Sequence, residues 1–227
     1  MSIELRAVVK PLGSRSSIID GVKVFTGRQG VVEVMTAQIG VGPVAAARST
    51  ERLLDRLTVD HVVVSGIAGG IEPTATIGSV IVPEIMLDVA SGQEYRPSPL
   101  GTLERAGTVG TVDELIMDPL RLAGLVERGV TALEMESTAV GSVCEARGVP
   151  WTVIRVISDR PDDGLTEDAV MDVLRPDGST DIGAALRLLV AKPSRIPRFI
   201  RLGRDASMAA RRAGATALNA LEVTGPR

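Results

Sequence analysis

Short β-branched runs alternate with stretches of helical periodicity along this chain. Residues 22–26 (VKVFT) and 31–39 (VVEVMTAQI) are strand-like and are separated by the turn-forming GRQG, which predicts an antiparallel pair. From Pro43 to Leu57, Val44, Ala47, Leu54 and Leu57 recur near one helical face, Arg48, Glu51, Arg52 and Asp55 lie elsewhere, and Pro43 suits a first helical turn. His61–Ser65 is a continuous apolar run that stops at Gly66–Gly70 (GIAGG), as expected of a strand buried on both faces that ends in a backbone-exposing loop. Further strands are expected at 78–83, 108–112, 130–133 and 151–157, with a helix over 136–147. Helices at 181–191 and 197–213 close the chain, joined by Lys192–Pro197, whose two prolines interrupt helical geometry. Strands alternating with helices predict an α/β fold: a mixed, largely parallel central sheet flanked by helices on both faces.

Composition narrows the chemistry. A length of 227 residues with 44% hydrophobic positions suits one domain with a sizeable core. No apolar run is long enough to span a membrane and the N-terminus lacks the apolar centre of a secretory signal, so a soluble cytoplasmic protein is expected. The single cysteine, Cys144, and the single histidine, His61, exclude disulfides, a Cys/His metal cluster and any Ser-His-Asp site that does not use His61. Neither a metal nor a cofactor is expected, and chemistry falls to carboxylates, hydroxyls, arginines or backbone. Four aromatic residues and a net charge of -3 argue against nucleic-acid binding. The charge is uneven: from Arg187 onward nine Lys/Arg face two acids. We therefore expect a domain over 1–186 and a basic helical extension over 187–227.

Ligands of such sheets gather at the carboxyl ends of strands. Three polar segments follow apolar runs: Gly66–Gly70, Glu134–Ser137 and Ser158–Arg160. Each has a plain alternative: glycines that only make a turn, acids that answer a helix dipole, a Ser-Asp pair that caps.

Taken in order, GIAGG, LEMES and ISDRPDD, together with IGVGPVAAA at 39–47, resemble the purine nucleoside phosphorylase and nucleosidase superfamily over roughly residues 20–165, and most nearly its methylthioadenosine/S-adenosylhomocysteine nucleosidase branch. The resemblance implies cleavage of the N-glycosidic bond of a purine nucleoside, such as methylthioadenosine or S-adenosylhomocysteine, in nucleoside catabolism and methionine salvage, by a homo-oligomer. Asp159 matches the acid that protonates purine N7, with Ser158 beside it in the substrate site. Glu136 matches the clamp on the ribose 2′- and 3′-hydroxyls. Met135 would lie against the ribose or fill the core, and the backbone of Gly69 and Ile116 would line the purine pocket. Glu4 is the fitting candidate for the base that activates water, against the plain reading of a glutamate on a surface helix. The family opens with a buried strand ahead of that glutamate, so either the true start lies upstream of Met1 or the sheet lacks its first strand.

Two departures bear on substrate: Ile67 stands where these nucleosidases carry serine, and Leu115 where an aromatic residue stacks on the base, a loss of roughly 1 kcal/mol of specific stacking. No convincing phosphate-binding set is found among Arg48, Arg52 and Arg155, which favours hydrolysis. Arg198, Arg201 and Arg204, interleaved with Phe199, Ile200 and Leu202, form a basic amphipathic segment that either packs as a solvated helix or contacts a membrane surface or lipid. That tail is similar to the extension of hopanoid-associated phosphorylases, which implies the alternative of removing adenine from a lipid-linked nucleoside. A non-catalytic nucleoside-binding member of the fold is the third alternative.

Overall fold

The computed structural model describes residues 2–161 and 196–224, excepting the side chains of Ile196, Arg198, Phe199, Val223 and Thr224. The helix expected at 181–191 and most of the proline-bearing joint lie outside them. The chain runs α1 (Ile3–Val9), β1 (Arg15–Ile19), β2 (Val22–Gln29), β3 (Val32–Ala37), α2 (Pro43–Leu54), β4 (Val62–Gly70), β5 (Val80–Ile81), β6 (Ile85–Asp88), β7 (Glu94–Tyr95), β8 (Thr108–Thr111), α3 (Pro119–Glu127), β9 (Val130–Glu134), α4 (Ser137–Ala146), β10 (Trp151–Asp159) and, after the gap in description, α5 (Ile196–Thr224).

Seven strands form one sheet in the order β5-β10-β4-β9-β8-β6-β7. The long ladders, β10 with β4 and β8 with β6 and β9, are parallel, and the short ones to β5 and β7 and at the end of β4 are antiparallel. The sheet is thus mixed and largely parallel, with helices on both faces. On one face Ala46 of α2 and Val140 and Cys144 of α4 pack with Val64, Ala68, Trp151, Val153 and Ile157. On the other, Ala209, Ala213 and Ala217 of α5 cover Ile154 and Val156. Small residues four apart let the helix come close to the sheet, and burying each branched residue beneath contributes roughly 1.5–3 kcal/mol. Residues 151–158 of β10 are buried, which is why that run is mostly apolar, with Arg155 the one charge in it.

The structure extends or corrects several expectations. The hairpin at 22–39 is the second half of a separate three-stranded antiparallel sheet, β1-β2-β3. GIAGG is not a loop: β4 continues through Gly70. The strand expected at 78–83 contracts to Val80–Ile81, and the helix expected at 197–213 runs on to Thr224. Among the described residues no strand precedes α1; Ser2 caps that helix, its hydroxyl accepting from the Leu5 N–H at 3.2 Å. Beyond its two-residue ladder with β9 at Gly69 and Gly70, β4 has β10 as its only strand neighbour among the described residues.

Candidate active site

The candidate site is built along the second half of β4. At Gly66 the backbone is approached by two side chains, Arg155 from β10 and Glu4 from α1, so closely that a Cβ there would collide with both. Glycine is required here because charged groups lie against the strand, not because the chain turns. One residue on, Ile67 would normally present its peptide to a neighbouring strand. Instead Glu4 Oε1 accepts its N–H at 2.9 Å, and Arg155 Nη1 donates to its carbonyl at 3.3 Å. Glu4 therefore sits on a helix, as the plain reading held, yet it is half-buried and its carboxylate faces the sheet.

Arg155 lies beneath this layer, its side chain 5% exposed, and three carboxylates surround it. Glu134 makes the direct ion pair, with its own side chain 1% exposed. Glu136 Oε2 stands 3.6 Å from Nη2. Burial opposes the guanidinium's charge, but Glu134, Glu136 and Glu4 outweigh it and its pKa is raised. Among the described residues its buried Nε has no hydrogen-bond partner.

Glu134 ends β9, and its side chain caps the start of α4. Its carboxylate accepts from the N–H of Glu136 at 3.1 Å, from the N–H of Ser137 at 2.9 Å, from the Ser137 hydroxyl at 2.9 Å and from the Thr111 hydroxyl of β8. Thr111 Oγ in turn accepts from the Thr138 N–H at 3.1 Å. The N–H groups of the first helical turn, which have no partner within the helix, are met by a negative charge where the helix dipole favours one.

Glu136 follows in the last position before α4. Its Oε1 accepts from the Gly42 N–H at 3.1 Å, a direction fixed by the left-handed backbone of Gly42 (φ 83°) just ahead of Pro43. Desolvation pushes its pKa up, Arg155 pulls it down, Glu134 pushes it up, the Gly42 hydrogen bond pulls it down and Glu4 pushes it up; the net direction is upward.

Asp159 is the last residue of β10. A bulge after Ile157 carries it past Ser158 to stand opposite Gly69, and Asp159 Oδ2 lies 3.4 Å from where a Gly69 Cβ would be. The buried Ser158 hydroxyl donates to Asp159 Oδ1. Gly69 pairs on its other side with Leu133, so it stands between the strand that carries Asp159 and the one that leads to Glu134 and Glu136. From Gly66 to Gly69 the strand advances about 10 Å, with Glu4 and the Arg155 cluster at one end and Asp159 at the other.

Met135 and Ile116 share an apolar cluster with Val112, Leu122, Leu125 and Val130, Ile116 being buried within it. Ile67 packs on Val156, Ala209 and Ala213 beneath α5. His61 is remote from this chemistry: its Nε2 bonds Thr152 Oγ at 2.7 Å at the opposite end of β10. Since Thr152 gives its own hydrogen to the Ser98 carbonyl, Nε2 must be the donor, and burial lowers the His61 pKa. An open cavity of about 330 Å³, lined by residues that include Glu72, Ser79, Glu104 and Thr131, shares no residue with the carboxylate cluster.

Sequence reasoning missed Glu134 as a hub and considered Arg155 only as a phosphate ligand. The signal for Arg155 was present: a charge in the middle of WTVIRVI must be paired if that strand is buried.

The sequence matches the phosphorylase superfamily over residues 3–104 and 102–189. The chain belongs to that family. Its relatives include the 5'-methylthioadenosine/S-adenosylhomocysteine nucleosidase of Bacillus pumilus, 32% identical over 171 residues that cover 62% of this chain and 74% of the relative. That of Bacillus subtilis is 33% identical over 59% of this chain and 71% of its own length. Among solved structures, the S-adenosylhomocysteine nucleosidase of Streptococcus pyogenes in complex with 5-methylthiotubericidin superposes with a TM-score of 0.74 at 19% identity, covering 100% of this chain and 94% of the other. The S. pneumoniae nucleosidase with a transition-state inhibitor gives 0.73 at 20% identity, covering 98% and 96%. These two likenesses concern the fold.

Proposed function

We propose that this protein is an N-glycosidase that hydrolyses an adenine nucleoside of the methylthioadenosine or S-adenosylhomocysteine type and releases the base. The observation that carries the reading is the placement of acids along β4: Glu4 on the Ile67 N–H, Asp159 opposite Gly69, and Glu136 beside the Arg155 that also reaches Gly66. The nucleosidase relatives support it independently.

In this reading the sugar lies toward Glu136 and the purine toward Asp159. The C1′–N9 bond breaks and its electron pair enters the purine, which takes a proton at N7 from the Asp159 carboxyl. Ser158 Oγ holds Oδ1, and Oδ2 is the oxygen that faces Gly69. Glu136 accepts from the 2′- and 3′-hydroxyls and stabilises the positive charge that develops on the sugar. Water adds to C1′ and gives its proton to Glu4, whose Oε1 is already held by Ile67. The Met135 and Ile116 cluster supplies the apolar wall.

Hydrolysis fits the electrostatics better than phosphorolysis. The buried cation is already surrounded by three carboxylates, and such a field repels phosphate. The hopanoid-type alternative would need the phosphate site that this arrangement withholds.

Adenine release from methylthioadenosine, S-adenosylhomocysteine and inosine, assayed with and without phosphate, tests the proposal. Release from the first two without phosphate is expected, and Glu4→Gln is expected to lower kcat roughly 10²–10⁴-fold with KM little changed. No release from any of the three, or release only with phosphate, contradicts it.

A further inference from the structure

Glu134 is excluded from substrate by its own neighbours, yet its carboxylate gathers donors from three elements: Thr111 on β8, the first residues of α4, and Arg155 on β10. It also takes the N–H of Glu136 itself. We propose that Glu134 is a positioning residue for the glycosidic cleavage: it fixes the peptide of Glu136 and holds the Arg155 guanidinium back from the Glu136 carboxylate. The proposal rests on the N-glycosidase reading above.

A helix cap alone explains less than is seen. Capping needs one acceptor for a free N–H of the first turn, and a neutral Ser or Asn serves as well as an acid. Glu134 instead spends a full charge on a buried guanidinium. The consequence lies at Glu136. Arg155 Nη2 is bonded to Glu134 and to Ser137 Oγ at 2.9 Å, and it stays 3.6 Å from Glu136 Oε2, outside hydrogen-bond range. If Arg155 closed that gap, the oxygen would be engaged and could no longer accept fully from a sugar diol. With Glu134 holding the guanidinium and Gly42 occupying only Oε1, Oε2 keeps its acceptor capacity.

Glu136 is faced by Arg155 from β10, Glu134 from β9, Glu4 from α1 and the Gly42 N–H from the turn before α2. Of these, Glu134 and Glu4 favour its neutral form and the other two favour the anion. Removing the charge at 134 takes away a like neighbour and frees Arg155 to approach, and both changes push Glu136 toward ionisation.

The test is Glu134→Gln, read by the NMR titration of the Glu136 carboxyl carbon and by the ratio of kcat/KM for ribo- and 2′-deoxyribonucleosides. We expect the Glu136 midpoint to fall by at least about half a pH unit and the ratio to fall roughly tenfold or more. A midpoint that stays in place overturns the proposal even if the melting temperature drops, because a mere cap would cost stability and leave Glu136 unchanged. Should Glu134→Gln fail to fold, Ser137→Ala removes the hydroxyl shared by Glu134 and Arg155, and a smaller shift in the same direction is expected; an unmoved midpoint again overturns it. The titration needs no turnover. A parent protein that releases no base therefore defeats the N-glycosidase reading and leaves the control of Glu136 by Glu134 to be decided on its own.

Discussion

Glu136 has to be ionised to grip a diol, and it stands where burial disfavours an anion. Its pKa is raised first by desolvation, and Arg155 and the Gly42 N–H restore only part of the loss. The sign of the stability effect follows. A carboxyl whose folded pKa lies above its unfolded one contributes most below the unfolded value, about 4.3, and that contribution is lost as pH rises through the folded value. At neutral pH the residue therefore costs stability in exchange for binding. Glu136→Gln should melt no lower than the parent at pH 7, and the difference should vanish below about pH 4. The same variant should lose most of its kcat/KM and its preference for ribonucleosides. A melting temperature well below the parent's at pH 7, equal at low pH, would show that the ion pair with Arg155 outweighs desolvation. At this scale the sequence made Glu136 and Asp159 legible through motif order, since acids that follow buried strands stand out. It hid Glu134, because nothing in LEMES tells which of two glutamates points inward and which meets a ligand.

The strand β4 shows what local patterns leave out. Glycines usually punctuate, so GIAGG reads as a loop after HVVVS; here they are strand positions thinned to admit Arg155, Glu4 and Asp159. The information that decides between the two lies on β10 and α1, far away in sequence. Helix α4 poses the same problem. Its position was legible from periodicity, but the role of Gly141 was not: a Cβ there would meet the ring of Trp151, so glycine sets how closely α4 lies on β10. Glycine to alanine in a helix normally gains up to about 1 kcal/mol. Overpacking a buried contact costs roughly 1–3 kcal/mol, and Trp151 is 2% exposed with nowhere to go. Gly141→Ala should therefore lower stability by about 1–2 kcal/mol in denaturant unfolding, and because α4 carries Glu136 at its start, activity should fall with it. An increase in stability would mean that Trp151 moves freely and that the helix is not held by this contact.

For the whole molecule, the alternation of strands and helices sufficed to anticipate a mixed, largely parallel sheet covered on both faces, because such sheets bury continuous apolar runs. What it could not anticipate is the break between two sheets. β1-β2-β3 stands apart from the seven-stranded sheet, and the β4 peptide at Ile67 is held by Glu4 and Arg155 where a strand neighbour would otherwise serve. The helix expected at 197–213 proved to be part of a longer one whose alanine face is core, while Ile200, in the basic amphipathic stretch near its start, is 67% exposed. Among the described residues no helix is long and apolar enough to cross a membrane.

The account depends on Asp159 giving a proton to the departing purine. Single-turnover release of adenine from 5'-methylthioadenosine, with nucleoside binding measured alongside, compares the parent with Asp159→Asn, whose amide keeps the shape and can accept from Ser158 but has no acidic proton to deliver. The expected result is a loss of roughly 10³-fold or more in rate with affinity changed only a few-fold; a variant that releases adenine within about tenfold of the parent rate would contradict it.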